Sequence, residues 1–351
     1  MQKPFIPSTL IASDITIGLA LGSGSARGLA HIGALRAIEA HGMKVDLIAG
    51  SSIGALVGAV YAAGNLDALE SSFRTFDWKK LVSLLDLTLP KSGLMDGKKV
   101  MDFVSTHLEI REIEQLPRPF QAVATDILTA REIALGTGDL MNAIRASIAV
   151  PGIFTPVYSD EHILVDGGLV NPVPVSVARA MGADFVIAID LNHEAPYSRD
   201  KKPLSSLTQK AETAAHSSMD NTAMHPMHND TSVSVLQAMQ HFKQVMSTLD
   251  HSTSTRLKKW LEMDTGLNIF EIILSSINIM AAKITESRMK VDPPDLVIQP
   301  PLGDVHFLAF DQADKIIERS YQSALQALST LDPAVFQTHK RRPIIGRHKS
   351  N

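Results

Sequence analysis

A serine hydroxyl becomes a nucleophile when it is held away from the backbone beside a proton acceptor, and Gly50-Ser51-Ser52-Ile53-Gly54 has the residue types for that task. The string follows the apolar run Val45-Asp46-Leu47-Ile48-Ala49, which reads as a strand, and opens a helical stretch that ends near Gly64. At a sharp strand-to-helix turn the central serine is exposed at the positive end of the helix, and Gly50 and Gly54 relieve the crowding. Only Ser52 sits two residues from each glycine, so Ser52 rather than Ser51 occupies the apex. The competing reading is a glycine-rich turn that serves close packing alone.

Two further elements carry chemistry. Gly22-Ser23-Gly24-Ser25-Ala26-Arg27-Gly28 ends one strand and starts a helix, where small residues let unpaired backbone N–H groups converge on an anion. That anion is either a nucleotide phosphate or the oxyanion of a tetrahedral intermediate. A dinucleotide site also wants an acidic residue closing the next strand, whereas Ala49-Gly50-Ser51-Ser52 stands there. Asp166-Gly167-Gly168 follows the strand Ile163-Leu164-Val165 and puts a carboxylate at a strand end without a bulky neighbour. A serine needs such a base; Asp126 and Asp190, which also end strands, are the alternatives. His31 falls on the first helix beside Ile32 and reads as a packed or surface histidine. His225 and His228, with His216, His241 and His251, lie in polar sequence and read as a solvated linker, so no metal and no cofactor is expected.

These residues need a scaffold. Thr16–Leu21 and Val45–Ala49 are strands, each followed by a helix, which is the unit of a parallel sheet covered by helices. Strands recur at 121–125, 133–135, 163–165 and 185–189; residues 66–117 are mostly helical, with an apolar cluster at 81–89 suited to covering a site. A late helix at 267–289, a strand at 295–300 and a final helix at 310–328 complete the pattern. The expected organisation is an extension (1–14), a core (15–195), a polar, loosely ordered insertion (196–265) with a helix at 236–249, the rest of the core (266–330) and a basic tail (331–351). The uncharged stretch Leu47–Gly64 is long enough to suggest a membrane span, but its glycines divide it into strand and helix. No signal peptide pattern opens the chain, and a cytoplasmic protein with transient contact to membrane surfaces or micelles is expected.

Composition narrows the chemistry. The 351 residues carry a formal net charge of -4 without a basic groove, which argues against a nucleic-acid partner. With no cysteine, thiol nucleophiles and thiolate zinc sites are excluded.

Gly22–Gly28 with His31-Ile32-Gly33, the Gly50–Gly54 string, Ala146-Ser147-Ile148-Ala149-Val150-Pro151-Gly152 and Asp166-Gly167-Gly168 together resemble patatin-like phospholipases, in particular the compact bacterial members. The resemblance spans residues 15–195 and resumes at 267–325, where Ser287-Arg288 and Pro294–Ile298 match the closing segment. It implies an α/β fold with a mostly parallel sheet and a Ser52-Asp166 dyad without a histidine. It also implies an oxyanion hole from the Gly22–Gly28 loop, with amides around Gly24 and Ser25 as donors, and an acyl lipid substrate such as a phospholipid or lysophospholipid. The family loop commonly carries three consecutive glycines before its basic residue; here Ser23-Gly24-Ser25-Ala26 precedes Arg27, which leaves open which amides form the hole. Arg27 matches the basic position, with loop support or lipid-phosphate contact as its two roles. A phosphate- or nucleotide-binding enzyme and a non-catalytic lipid-binding module are the rival functions.

Overall fold

Runs such as Ile17-Gly18-Leu19-Ala20-Leu21 and Phe185-Val186-Ile187-Ala188-Ile189 have no polar alternation, which suits strands covered on both faces. In a computed structural model of the protein they are adjacent interior strands of an eight-stranded sheet. The structure describes residues 15–84, 86, 93–159, 161–193 and 269–332. Apart from 269–272 these belong to one compact unit, formed by residues 1–198 and 273–351. The polar segment with its expected helix and histidines lies outside the described residues, as do the N-terminal extension and all but the first two residues of the tail.

In chain order the strands are β1 (Ile17–Leu21), β2 (Leu47–Ser51), β3 (Gly93–Met95), β4 (Phe120–Asp126), β5 (Arg131–Leu135), β6 (Gly152–Phe154), β7 (Val157–Tyr158), β8 (Ile163–Asp166), β9 (Phe185–Ile189) and β10 (Leu296–Ile298). The helices are α1 (Ala30–Ala40), α2 (Ile53–Ala62), α3 (Leu66–Arg74), α4 (Trp78–Ser83), α5 (Lys98–Ser105), α6 (Leu140–Ser147), α7 (Val175–Ala180), α8 (Ile269–Val291) and α9 (Ala313–Leu328). The main sheet runs β10-β9-β1-β2-β4-β8-β7, with β5 on β4. Its first five strands are parallel, and β5, β7 and β8 join in antiparallel pairs. The expected mixed α/β fold with a mostly parallel sheet is therefore the observed one.

The two faces of β1 differ in side-chain size. Ile17, Leu19 and Leu21 pack with α1, α2 and α9, whereas Ala20 faces the smaller cluster built around Val175, Val177 and Ala178 of α7. Alternation with period two decides which residue meets which layer. Leu47–Gly64, the stretch of membrane-span length, is β2 and α2, and no helix among the described residues is long and apolar enough to cross a membrane.

The mostly helical reading of 66–117 holds for α3, α4 and α5 but missed β3, which pairs in parallel with β6 as a separate small sheet. Strands of two or three residues, as in β3, β6 and β7, are too short to show a period, so pairing rather than pattern defines them.

Register brings the functional segments to one edge. Leu21 pairs with Gly50 on one side and Ile189 on the other, so the carboxyl ends of β1, β2 and β9 lie together. Ser51 pairs with Val123, and β8 returns so that Asp166 pairs with the next residue, Ala124.

Candidate active site

The turn between β2 and α2 is sharp. Ser52 sits at φ 56° and ψ -125°, a conformation that costs an L-residue about 1–3 kcal/mol and persists where neighbours enforce it. One such neighbour is Ser147, whose hydroxyl accepts the Ser52 N–H at 2.9 Å and donates to the Val123 carbonyl at 2.6 Å, tying the turn to β4. Ser52 is the N-cap residue of α2, yet its hydroxyl does not cap the helix. It donates instead to Asp166 Oδ2 at 2.5 Å.

Asp166 is delivered by the end of β8. Its other carboxylate oxygen accepts the Gly168 N–H at 2.7 Å, its own N–H donates to the Ala149 carbonyl at 3.0 Å, and Thr125 holds its carbonyl at 2.8 Å. The turn after it lies directly on β4, since a Cβ on Gly167 would stand 2.1 Å from the Val123 carbonyl oxygen. Burial pushes the Asp166 carboxyl up to about 6, against the hydrogen bonds from Ser52 and Gly168, which lower it. A carboxylate so placed is a better proton acceptor than one in water.

The Gly22–Gly28 loop leaves β1 beside this pair. The amides of Gly22, Ser23, Ala26 and Arg27 donate to the carbonyls of Ile189, Pro172, Phe307 and Gly24. No described group accepts from the amides of Gly24 and Ser25, and both residues line the cavity that contains Ser52 and Asp166. Ser25 is itself at φ 50°, so two of the three positive-φ residues other than glycine among the described residues face this cavity.

Arg27 is buried, donates to the Leu191 carbonyl at 3.1 Å and is not among the cavity-lining residues, so of its two roles the geometry favours loop support. Ala26, Gly22 and Gly28 are likewise behind the lining. His31 is packed rather than at the surface: its Nε2 meets the Gly22 carbonyl at 2.7 Å, and burial pushes it down to about 4, so the neutral ring donates there. Neither alternative base reaches Ser52. Asp126 binds Thr129 and the Leu128 amide, and Asp190 binds the Asn192 amide and Gln299.

The cavity has a volume of about 170 Å³ and opens to solvent. Its wall is largely apolar, with Leu81, Leu84, Met95, Phe154 and Ile277 among its members, together with the cluster Phe73, Phe76, Phe103 and Phe310, whose rings pack 5.6–6.2 Å apart. Leu81 and Leu84 thus stand where the apolar cluster was expected to cover a site; Leu85, Leu87 and Leu89 lie outside the described residues. Asp166 is the only ionisable side chain among the described lining residues. Sequence reasoning assigned nothing to Thr125 or Asn192 and gave Ser147 no role, although Ser147 lies inside a quoted motif; hydroxyl and amide residues at strand and helix ends are too common to stand out alone.

A serine at a sharp strand-to-helix turn, bonded to a buried carboxylate beside a loop with two amides that no described group accepts, has the parts that acyl transfer requires. The model of the patatin-like phospholipase family matches residues 19–179. An uncharacterized NTE family protein of Mycobacterium bovis is 31% identical over 337 residues, covering 92% of this chain and 93% of its own. Patatin-like phospholipase domain-containing protein 6 of Homo sapiens is 38% identical over 186 residues, which is 51% of this chain and 14% of that protein. Among solved structures, VipD from Legionella pneumophila aligns with a TM-score of 0.42 and 13% identity, over 89% of this chain and 66% of that one. The chain belongs to the patatin-like phospholipase family, with NTE family proteins among its relatives.

Proposed function

We propose that the protein hydrolyses acyl esters of phospholipids or lysophospholipids through a Ser52-Asp166 dyad. The observation that carries this reading is the 2.5 Å bond from the Ser52 hydroxyl to a buried carboxylate inside an apolar cavity. Ser52 Oγ attacks the ester carbonyl carbon while its proton passes to Asp166 Oδ2. The carbonyl oxygen becomes an oxyanion and receives the N–H groups of Gly24 and Ser25, an arrangement of preorganised donors that contributes heavily to acyl transfer. Collapse of the intermediate breaks the ester bond, and the departing alkoxide takes the proton from Asp166. Water then attacks the acyl-serine and gives its proton to Asp166. The second intermediate expels Ser52, which recovers that proton, and the fatty acid leaves.

The apolar wall suits an acyl chain, and among the described lining residues the one charged side chain is the carboxylate Asp166, with no Lys or Arg to neutralise a nucleotide's phosphates. A charged head group remains at the open mouth, which fits access from a membrane surface or micelle. The test is fatty-acid release from a panel of phospholipids and lysophospholipids, with fluorophosphonate labelling alongside. Ser52→Ala should lose both while staying folded, whereas Ser51→Ala should keep measurable turnover. Release by Ser52→Ala at the parent rate overturns the dyad.

A further inference from the structure

Asn192 belongs to no motif in the sequence, yet it is buried against the loop proposed to hold the oxyanion. It stands three residues past the end of β9, where Ile189 pairs with Leu21 and accepts the Gly22 N–H. Its Nδ2 donates to the Ser23 carbonyl at 2.9 Å and reaches the Ser23 hydroxyl at 3.2 Å. A carbonyl oxygen only accepts, so the amide nitrogen must be the atom that faces it.

The consequence follows from peptide geometry. The bond between Ser23 and Gly24 is planar and trans, as no cis peptide is present among the described residues, so its C=O and N–H point in opposite directions. Holding the Ser23 carbonyl toward Asn192 therefore aims the Gly24 N–H the other way, where no described group accepts it. The peptide planes on either side are fixed by other means: Gly22 O by His31, Ser23 N–H by Pro172 O, and Gly24 O by the Arg27 N–H. Among the described residues, Asn192 is the side chain that holds the Ser23-Gly24 plane.

Asn192 is itself held. Its own N–H donates to Asp190 Oδ1 at 3.0 Å, and Asp190 Oδ2 accepts Gln299 Nε2 at 3.0 Å. Meanwhile Asn192 Oδ1 is buried with no hydrogen-bond partner. Leaving a buried carbonyl unanswered is unfavourable, and an apolar side chain would avoid it. What an apolar side chain would not supply is the donor to Ser23.

We infer that Asn192 is a positioning residue of the oxyanion hole: it orients the Gly24 N–H by gripping the carbonyl of the same peptide, with Asp190 and Gln299 behind it. This rests on the hydrolase reading above. The test is steady-state hydrolysis of p-nitrophenyl butyrate by the full chain, with thermal unfolding measured in parallel, for the parent, Ser52→Ala, Asn192→Asp, Asn192→Ala and Gln299→Leu. Asn192→Asp keeps the shape and removes the donor; Asn192→Ala carries the test if a carboxylate beside Asp190 prevents folding. An interaction made only in the transition state lowers kcat and kcat/KM together. With one oxyanion donor misaimed, kcat should fall about 10- to 100-fold while KM stays within about threefold. Gln299 is at the surface, so Gln299→Leu should fold, and by loosening Asp190 it should lower kcat about three- to tenfold. A folded Asn192 variant with kcat within threefold of the parent, or a loss carried by KM alone, overturns the inference. A parent protein no faster than Ser52→Ala would instead overturn the hydrolase reading, and this inference with it.

Discussion

If Asp166 is the base, the pH dependence of hydrolysis must follow its ionisation. Burial pushes this carboxyl from 3.8 up to about 6, while the buried His31 is pushed down to about 4. A base with the acidity of His31 would therefore put the acid limb of the rate profile about two pH units lower than Asp166 does. With Asp166 as base, kcat/KM for a short soluble ester should be half-maximal near pH 6 and fall to about a tenth by pH 5, each further unit costing about tenfold. Asp166→Asn keeps the shape and the Gly168 contact but cannot take the Ser52 proton, so turnover should fall by about four orders of magnitude, the scale of removing a triad member. The same displacement has a signature in stability. Between pH 4 and 6 the native state holds a proton that the unfolded chain has released, so this group's contribution to stability falls as pH rises through that window and levels off above it. The size is about 3 kcal/mol for a shift from 3.8 to about 6, the hydrogen bonds from Ser52 and Gly168 already included. Asp166→Asn should accordingly raise the unfolding temperature at pH 7–8, with the gain shrinking towards pH 4. An acid limb at pH 4, or a folded Asp166→Asn protein within tenfold of the parent rate, would refute the assignment of the base.

Two other expectations concern the walls of the site. Leu84 lines the cavity, so Leu84→Glu should depress hydrolysis of long-chain lipids at least tenfold more than that of a short ester; equal losses would make Leu84 ordinary packing. A Cβ on Gly54 would lie 2.2 Å from the Leu21 carbonyl oxygen, so Gly54→Ala must push the start of α2 away from the end of β1. It should cost about 1–3 kcal/mol in chemical denaturation and lower kcat as well, and an unchanged denaturation midpoint would contradict the close approach.

The chemistry of this chain is written locally, and local patterns are what a sequence reports. Gly50–Gly54 between an apolar run and a helical one specifies a turn whose apex is Ser52, and Phe185–Ile189 specifies a buried strand, because each depends on neighbours only a few residues away. The family resemblance links Ser52 to Asp166 across 114 residues, but Asp126 and Asp190 also end strands and stay open as alternatives on the sequence alone. Register separates them: β8 returns antiparallel so that Asp166 pairs with Ala124, while Asp190 turns to Asn192 and Gln299. Nor does the sequence tell which loop amides are free, because that depends on whether Pro172, Ile189 and Phe307 present carbonyls to them. The 2.7 Å contact of His31 with Gly22 and the 2.9 Å contact of Asn192 with Ser23 have the same origin. Residue types and short-range spacing determine what groups a chain can offer; which groups meet, and which are left unsatisfied to act on a substrate, depends on contacts between segments far apart in the chain, and those exist only once the sheet has set its register.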